Sequence, residues 1–129
     1  MKNLSVIATA MLLLSLVCTS CQESLEDKAA RQAKDYTRKY CPTPKQNHVC
    51  TDSIVFNTQR KVYTYYLSFY DELDNKEIID KHRGEIVSML QQSLRESTGL
   101  KNFVEAGFRF EYVCRSGSDS KTILLKVGL

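Results

Sequence analysis

Tryptophan is absent from the 129 residues, and glycine, histidine and proline are scarce, with five, two and two copies. So few glycines leave little room for a loop that cradles a phosphate or a dinucleotide. Beyond Cys21 the chain also lacks the C-x-x-C, H-E-x-x-H and G-x-S-x-G motifs, which excludes the commonest zinc and serine-hydrolase sites there. We therefore predict a protein that is not an enzyme and that holds no metal or cofactor.

Neither sign of charge dominates the sequence. The chain has 18 basic and 15 acidic residues, and they are spread along its length rather than gathered in a block. A nucleic-acid-binding surface needs a concentrated basic stripe. We therefore predict no nucleic-acid partner.

The longest uncharged apolar run, residues 4–17, stands at the amino terminus. Lys2 precedes it, and small residues (Cys18, Thr19 and Ser20) lie just before Cys21. The run is shorter than the roughly 20 apolar residues that a membrane-spanning helix needs, so it indicates a cleavable signal peptide. The segment resembles bacterial lipoprotein signals, which are cut before a cysteine that then carries acyl chains such as palmitate. We expect removal of residues 1–20 and lipid on Cys21, with ordinary secretion or a retained anchor as alternatives.

Four cysteines remain after this cleavage. If Cys21 carries lipid, three are left, and an odd count leaves one thiol over or pairs it between chains. Cys41 and Cys50 flank a loop with two prolines, and a disulfide between them closes a short loop at small entropic cost. Cys114 competes for Cys50, because it lies on the inward face of a predicted strand. The sequence predicts a Cys41–Cys50 disulfide and leaves Cys50–Cys114 as the alternative.

Residues 21–26 are expected to form a short tether, and residues 27–129 a single domain. The pattern predicts a helix over residues 24–40, with Ser24 and Asp27 as a capping pair and Pro42 ending it. Its apolar stripe consists of Leu25, Ala29, Ala33, Tyr36 and Tyr40. Because this stripe recurs at spacings of three and four residues, it can face a core.

Two hairpins are predicted from alternating residues. The first joins strands 52–57 and 61–70, and the second joins residues 108–115 to a strand around 123–127. The inward faces carry Tyr63, Tyr65, Leu67 and Phe69 in the first hairpin, and Phe108, Phe110, Tyr112, Cys114, Ile123, Leu125 and Val127 in the second. The short turns within the hairpins require antiparallel pairing.

A long amphipathic helix is predicted between the hairpins, over residues 74–98. Asp74 is its predicted N-cap, Gly99 is expected to end it in a left-handed conformation, and Gly84 marks a close approach. Its packing stripe is Ile79, Arg83, Ile86, Val87, Leu90 and Leu94. We expect one more turn or two over residues 100–106, stopped by Gly107. The predicted fold is α+β, in two layers, with a four-stranded antiparallel sheet and element order α-β-β-α-β-β.

Tyrosine is the residue type that most suggests a binding surface. Tyr66 and Tyr70 share the predicted outer face of the second strand, and such pairs can stack sugars or peptides. A strand whose tyrosines only fill and flank a small core explains the same pattern. His48 and His82 lie in different elements, which gives no metal-ligand spacing.

Several segments together resemble small envelope lipoproteins of Bacteroidota without an assigned role. The residues that carry the resemblance are Tyr40-Cys41-Pro42, residues 52–56, residues 62–67 and residues 107–113. Acidic residues just after Cys21 are similar to those that favour surface display in such lipoproteins. The resemblance implies an outer-membrane lipid anchor, on the periplasmic or the surface side. The lipid anchor, the compact domain and the lack of an assembled catalytic set together indicate a binding module for a protein, peptide or glycan. A protease-inhibitor-like module and a thiol-dependent enzyme are the alternatives.

Overall fold

The described structure starts with the predicted first helix. The computed structural model describes residues 22–129, so the expected signal peptide and Cys21 lie outside the described residues. Helix α1 (Leu25–Tyr40) is capped by Ser24, whose hydroxyl accepts a hydrogen bond from the Asp27 backbone N–H at 3.1 Å. Ala29 and Ala33 are buried, as predicted, whereas Tyr36 and Tyr40 at the end of the stripe are exposed. Two small residues at the contact allow α1 to lie close to the sheet.

Eight helices and strands follow each other along the described chain. After α1 come β1 (Val49–Asn57), β2 (Val62–Phe69), α2 (Lys76–Lys81), α3 (Arg83–Glu96), α4 (Lys101–Glu105), β3 (Arg109–Ser116) and β4 (Ile123–Gly128). Short 3₁₀ turns at Asp71–Leu73 and Thr98–Leu100 flank the central helices. No helix within residues 22–129 combines the length and the apolar composition that crossing a bilayer requires.

The four strands form one sheet in the order β1-β2-β3-β4, with two antiparallel pairs and one parallel pair. The hairpins β1-β2 and β3-β4 are antiparallel, as predicted. The prediction of a fully antiparallel sheet is wrong, because β2 and β3 are neighbours and run parallel. The chain between them holds three helices, which is long enough for the crossover that parallel strands need. The α+β class and the two-layer arrangement are confirmed.

The predicted long central helix is two helices, α2 and α3, that break at His82. His82 has φ −103° and ψ 14°, outside regular helix geometry. Asn75, not Asp74, caps α2 and accepts hydrogen bonds from two backbone N–H groups. Gly84 does not mark a close approach, since a Cβ built there meets nothing within 4 Å. A glycine in the first turn of α3 weakens helix continuity by about 1 kcal/mol, which favours the break.

Two further differences concern the chain after α3. Gly99 lies in a 3₁₀ turn and does not end α3 in a left-handed conformation. Among the glycines of residues 22–129, Gly107, after α4, has a left-handed φ of 80°. The predicted inward position of Ile123 is also wrong, because the strand register shifts between Cys114 and Arg115. Because of this irregularity the Leu124 side chain points into the core and is 4% exposed, whereas the Ile123 side chain is 48% exposed.

The core lies between the helices and one face of the sheet. One cluster joins α1 to the β1-β2 end of the sheet and includes Phe56, Tyr63, Phe103, Phe108 and Phe110. A second cluster joins α2 and α3 to the other end and includes Leu67, Phe69, Ile79, Cys114 and Leu125. The predicted inward face of β2 is confirmed by these contacts.

The outer edge of β1 is occupied by the chain's own groups. The Thr37 hydroxyl accepts from the Ile54 N–H at 2.8 Å and donates to the Ile54 carbonyl at 3.0 Å. The Thr43 N–H donates to the Thr51 carbonyl at 3.0 Å, and the Thr43 hydroxyl accepts from the Thr51 N–H at 2.9 Å. Further along, Gln46 and Val49 exchange two backbone hydrogen bonds. Much of the edge strand therefore has its outward backbone groups paired.

Candidate functional site

A groove lies between α1 and α3. Gln32, Ala33 and Tyr36 of α1 form one wall, and α3 with the turn after it forms the other. The groove holds about 310 Å³. Its remaining lining residues are Thr51, Ile54, Tyr63, Tyr65 and Tyr112 on the floor, and Ser93, Leu94, Ser97, Gly99 and Leu100 on the second wall. A site of this size can take a small molecule or a few side chains of a peptide.

The floor of the groove is a row of packed aromatic rings. Tyr65 stacks on Tyr112 with ring centroids 4.9 Å apart, and Tyr63 lies 6.1 Å from Tyr65. The Tyr63 hydroxyl donates a 2.8 Å hydrogen bond to the Ala29 carbonyl, which ties the floor to α1. Tyr65 also lines the groove, and its hydroxyl, unlike that of Tyr63, makes no hydrogen bond to another described residue. The floor is therefore rigid and offers both ring surface and hydroxyl groups.

The electrostatics of the groove are neutral. No Asp, Glu, Lys, Arg or His side chain is among its lining residues. Burial raises the pKa of Tyr63 to about 12, and burial is the main cause that raises the pKa of Tyr65 and Tyr112. All three therefore stay uncharged at physiological pH. The groove can bind through apolar contact and neutral hydrogen bonds, and its lining has no acid or base that would activate a hydroxyl near neutral pH.

Helix α3 forms a loosely packed wall. No residue of α3 is fully buried, and its apolar side chains Ile86, Val87, Leu90 and Leu94 are half-buried. Arg83, part of the predicted packing stripe, is exposed, and its guanidinium donates to the Lys126 carbonyl. By comparison, Ile79 of α2 is completely buried. The helix that borders the groove therefore retains apolar surface that an occupant could cover.

The cysteines lie away from the groove lining, as free thiols. Cys50 pairs with Ser68 on the outer face of the sheet, whereas Cys114 lies on the inner face with no exposed surface. Strands β1 and β3 are separated by β2, so about 9–10 Å lies between them. A disulfide needs Cα atoms within about 7 Å, so the Cys50–Cys114 alternative is excluded.

The Cys41–Cys50 disulfide stays a prediction, since the structure holds both residues as free thiols. Two hydrogen bonds between Thr43 and Thr51 bring the loop after Cys41 back alongside the strand that carries Cys50. The pKa of the Cys41 thiol is raised, mainly by burial. Burial also raises the pKa of the Cys114 thiol to about 12. A protonated thiol is a weak nucleophile, so these two positions are poorly suited to thiol catalysis.

The two predicted surface tyrosines do not form one aromatic patch. Tyr66 lies on the outer face of β2, half-buried, with the Arg115 guanidinium 5.1 Å from its ring. Tyr70 lies beyond the end of β2, and the Lys45 ammonium is 5.6 Å from its ring. Four residues of extended strand separate the two tyrosines by about 13 Å. Each ring therefore packs with its own cation.

The histidines contact carboxylates in two separate places. His48 Nδ1 lies 3.0 Å from the Asp71 carboxylate, which also receives the Lys45 ammonium at 2.9 Å. These hydrogen bonds lower the pKa of Asp71. His82 lies 3.4 Å from Glu85 on α3. Within residues 22–129, no three His, Cys, Asp or Glu side chains are placed to hold a metal ion.

Sequence reasoning did not find the groove. Its residues come from α1, three strands and the end of α3, and no local motif links them. The inward tyrosines of β2 were expected to fill the core, and Tyr65 does so only in part. A usable signal was the concentration of tyrosine, rather than leucine or valine, on a predicted inner face.

Comparison with solved structures shows that other proteins share this fold. A Pseudomonas aeruginosa protein described as a candidate secreted protein matches with a TM-score of 0.61 and 13% sequence identity, over 84% of this chain and 95% of its own. The pilotin EpsS of the Vibrio vulnificus type 2 secretion system matches with the same TM-score and identity, over 81% of this chain and 86% of its own.

Comparison of the sequence itself gives the family. No protein with a curated description matches the chain. Residues 24–125 match the family described as "Domain of unknown function (DUF8479)". This range runs from the cap of α1 into β4 and takes in nearly all of the described fold. The chain therefore belongs to the DUF8479 family.

Proposed function

We propose that this chain is a lipid-anchored, non-enzymatic envelope protein that binds a segment of a partner protein in the groove between α1 and α3. The observation that carries the proposal is the groove itself, with a rigid tyrosine floor and a neutral lining. Such a surface suits the apolar side chains and backbone groups of a peptide segment. Leu94 of α3, which is half-buried, adds apolar contact area on the same wall.

Membrane attachment is the second part of the proposal. The supporting features are the signal-like residues 1–20 and the cysteine that follows them. Two or more acyl chains on Cys21 would hold the domain at a membrane persistently, whereas one chain binds only marginally. We place the protein in the cell envelope, at the outer membrane. In cells, Cys21→Ser is expected to move the protein from the membrane to the soluble fraction, and an unchanged distribution would contradict the anchor.

The likeness to a pilotin favours a protein partner over a glycan. That neighbour is described as a pilotin of a type 2 secretion system. A role beside a larger envelope assembly fits a small tethered module with a neutral binding groove. Enzymatic activity is disfavoured because the groove lining has no acid or base that would activate its hydroxyl groups.

Site-specific photocrosslinking in intact cells tests the groove. A photoreactive amino acid at Ser93 lies in the groove wall, and the same amino acid at Ser88 lies on α3 but outside the lining. The full chain carrying the label at Ser93 is expected to give a discrete adduct that contains a second protein. The label at Ser88 is expected to give none. Identical adducts at both positions, or none at either, would contradict binding in the groove.

Filling the groove provides the matched loss-of-function test. Ser97→Trp places an indole at the groove wall, and Ser88→Trp places the same side chain on exposed α3 surface. We expect the first change to reduce the Ser93 adduct at least tenfold and the second to leave it unchanged. Thermal unfolding of both variants checks that the groove variant is still folded.

A further inference from the structure

The domain is ordered almost from the residue that follows Cys21. Arg31 on α1 donates two hydrogen bonds to the Glu23 carboxylate, through Nε at 2.8 Å and Nη2 at 2.9 Å. Ser24 then caps the helix. Only Gln22 separates Glu23 from Cys21 in the sequence, and two peptide units span at most about 7.6 Å. Little flexible chain is available to hold the domain away from its anchor.

The surface nearest to the anchor is defined by the direction of α1. This helix runs antiparallel to β1, so its first turn lies beside the β1-β2 turn, where Lys61 Nζ is 3.2 Å from a Glu26 carboxylate oxygen. The start of β3 lies at the same end, because the Arg109 N–H donates to the Lys61 carbonyl at 3.0 Å. We name this surface the anchor end; it consists of Glu26, residues 58–61 and Arg109.

The anchor end is fully polar and carries three exposed cations. Arg60, Lys61 and Arg109 are exposed, and the whole turn 58–61 is exposed with them. Lys61 pairs with Glu26, and Arg60 lies 3.7 Å from Glu111, so two of the cations are held near the surface by acids. Guanidinium and ammonium groups bind phosphate oxygens, and basic residues near an anionic bilayer are attracted to it.

We propose that the anchor end rests directly on phospholipid headgroups, with Arg60, Lys61 and Arg109 donating to lipid phosphates. The inference rests on the lipid anchor at Cys21 that forms part of the proposed function. It adds an orientation: the α1 wall of the groove, from Gln32 to Tyr36, lies about 10 to 17 Å along the helix axis from the start of α1. A partner segment would then have to reach a membrane-proximal site.

Hydrogen–deuterium exchange of the acylated full-length product tests the contact. The protein is reconstituted in vesicles of phosphatidylethanolamine and phosphatidylglycerol, and the Cys21→Ser chain in solution is the reference. We expect the amides of residues 58–61 to exchange at least fivefold more slowly on vesicles. The loop of residues 42–48, at the opposite end of the sheet, should exchange equally in both. Equal exchange of residues 58–61 in the two samples would overturn the proposal.

An insertion and a matched pair of substitutions separate a fixed orientation on the bilayer from tethering alone. Ten Gly-Ser residues inserted between Gln22 and Glu23 keep the lipid but lengthen the tether, so the protection of residues 58–61 should be lost. Arg109→Glu should reduce this protection, whereas Lys121→Glu in the exposed β3-β4 turn should not. Protection that survives the insertion would overturn the short-tether argument. Intact mass measures acylation separately, so an unacylated Cys21 would refute the anchor itself.

Discussion

Replacing Tyr63 by phenylalanine isolates the hydrogen bond that ties the groove floor to α1. The ring of Tyr63 is buried, and its hydroxyl donates to the Ala29 carbonyl at 2.8 Å. Tyr63→Phe keeps the ring stacking and removes only the hydroxyl. A net hydrogen bond is worth about 1 kcal/mol. We therefore expect the free energy of unfolding to fall by about 1 kcal/mol, which changes the unfolding equilibrium about fivefold.

The adjacent inward position on the same strand supplies the control. Tyr65 is also on the inner face and half-buried, but its hydroxyl makes no hydrogen bond to another described residue and is not fully buried. Tyr65→Phe should therefore change stability by less than about 0.5 kcal/mol. Urea unfolding of the Cys21→Ser chain, under reducing conditions, measures both variants. The reasoning is refuted if Tyr65→Phe costs as much as Tyr63→Phe, or if Tyr63→Phe costs nothing.

Three further predictions concern the β1 edge, the thiols and alkaline pH. Thr37→Val should cost about 1–2 kcal/mol in urea unfolding, because both backbone groups of Ile54 lose their partner, whereas Thr37→Ser should retain most of the stability. Mass spectrometry of the protein isolated from the envelope without reduction should find Cys41 joined to Cys50 and Cys114 as a free thiol; alkylation of both Cys41 and Cys50 would contradict this. Because burial raises the pKa of the inner-face tyrosines, the unfolded state loses protons first as pH rises above about 10. These tyrosines should therefore leave the free energy of unfolding unchanged between pH 8 and 9 and lower it from about pH 10 to 12. Unfolding curves that do not change between pH 10 and 12 would contradict this prediction.

The sequence was most informative where a pattern is local. The cap at Ser24, the alternation along β2 and the two hairpin turns each depend on a few neighbouring residues, and all were predicted. The pairing of β2 with β3 depends instead on where the central helices lead the chain, and the hairpin turns contain no information about it. A helical crossover permits parallel neighbours, so strand order had to come from the structure.

The remaining errors come from small local preferences that compete closely. Asp74 and Asn75 are both good N-caps, and the structure uses Asn75 because Asp74 instead accepts hydrogen bonds from Ser118. The inward turn of Leu124 follows from a register shift of one residue, which alternation alone does not indicate. The groove was missed for a different reason: it exists only where α1, the sheet and the end of α3 fail to close completely over the tyrosines.

The occupied edge of β1 has a consequence for crowding. Proteins held on a bilayer meet one another in two dimensions, at local concentrations far above those in bulk solution. An open strand edge under such conditions would template pairing with the next copy and could seed polymers. Here Thr37, Thr43 and Gln46 fill that edge with groups from the same chain. Neighbouring copies held by the proposed lipid anchor would therefore not join through β1.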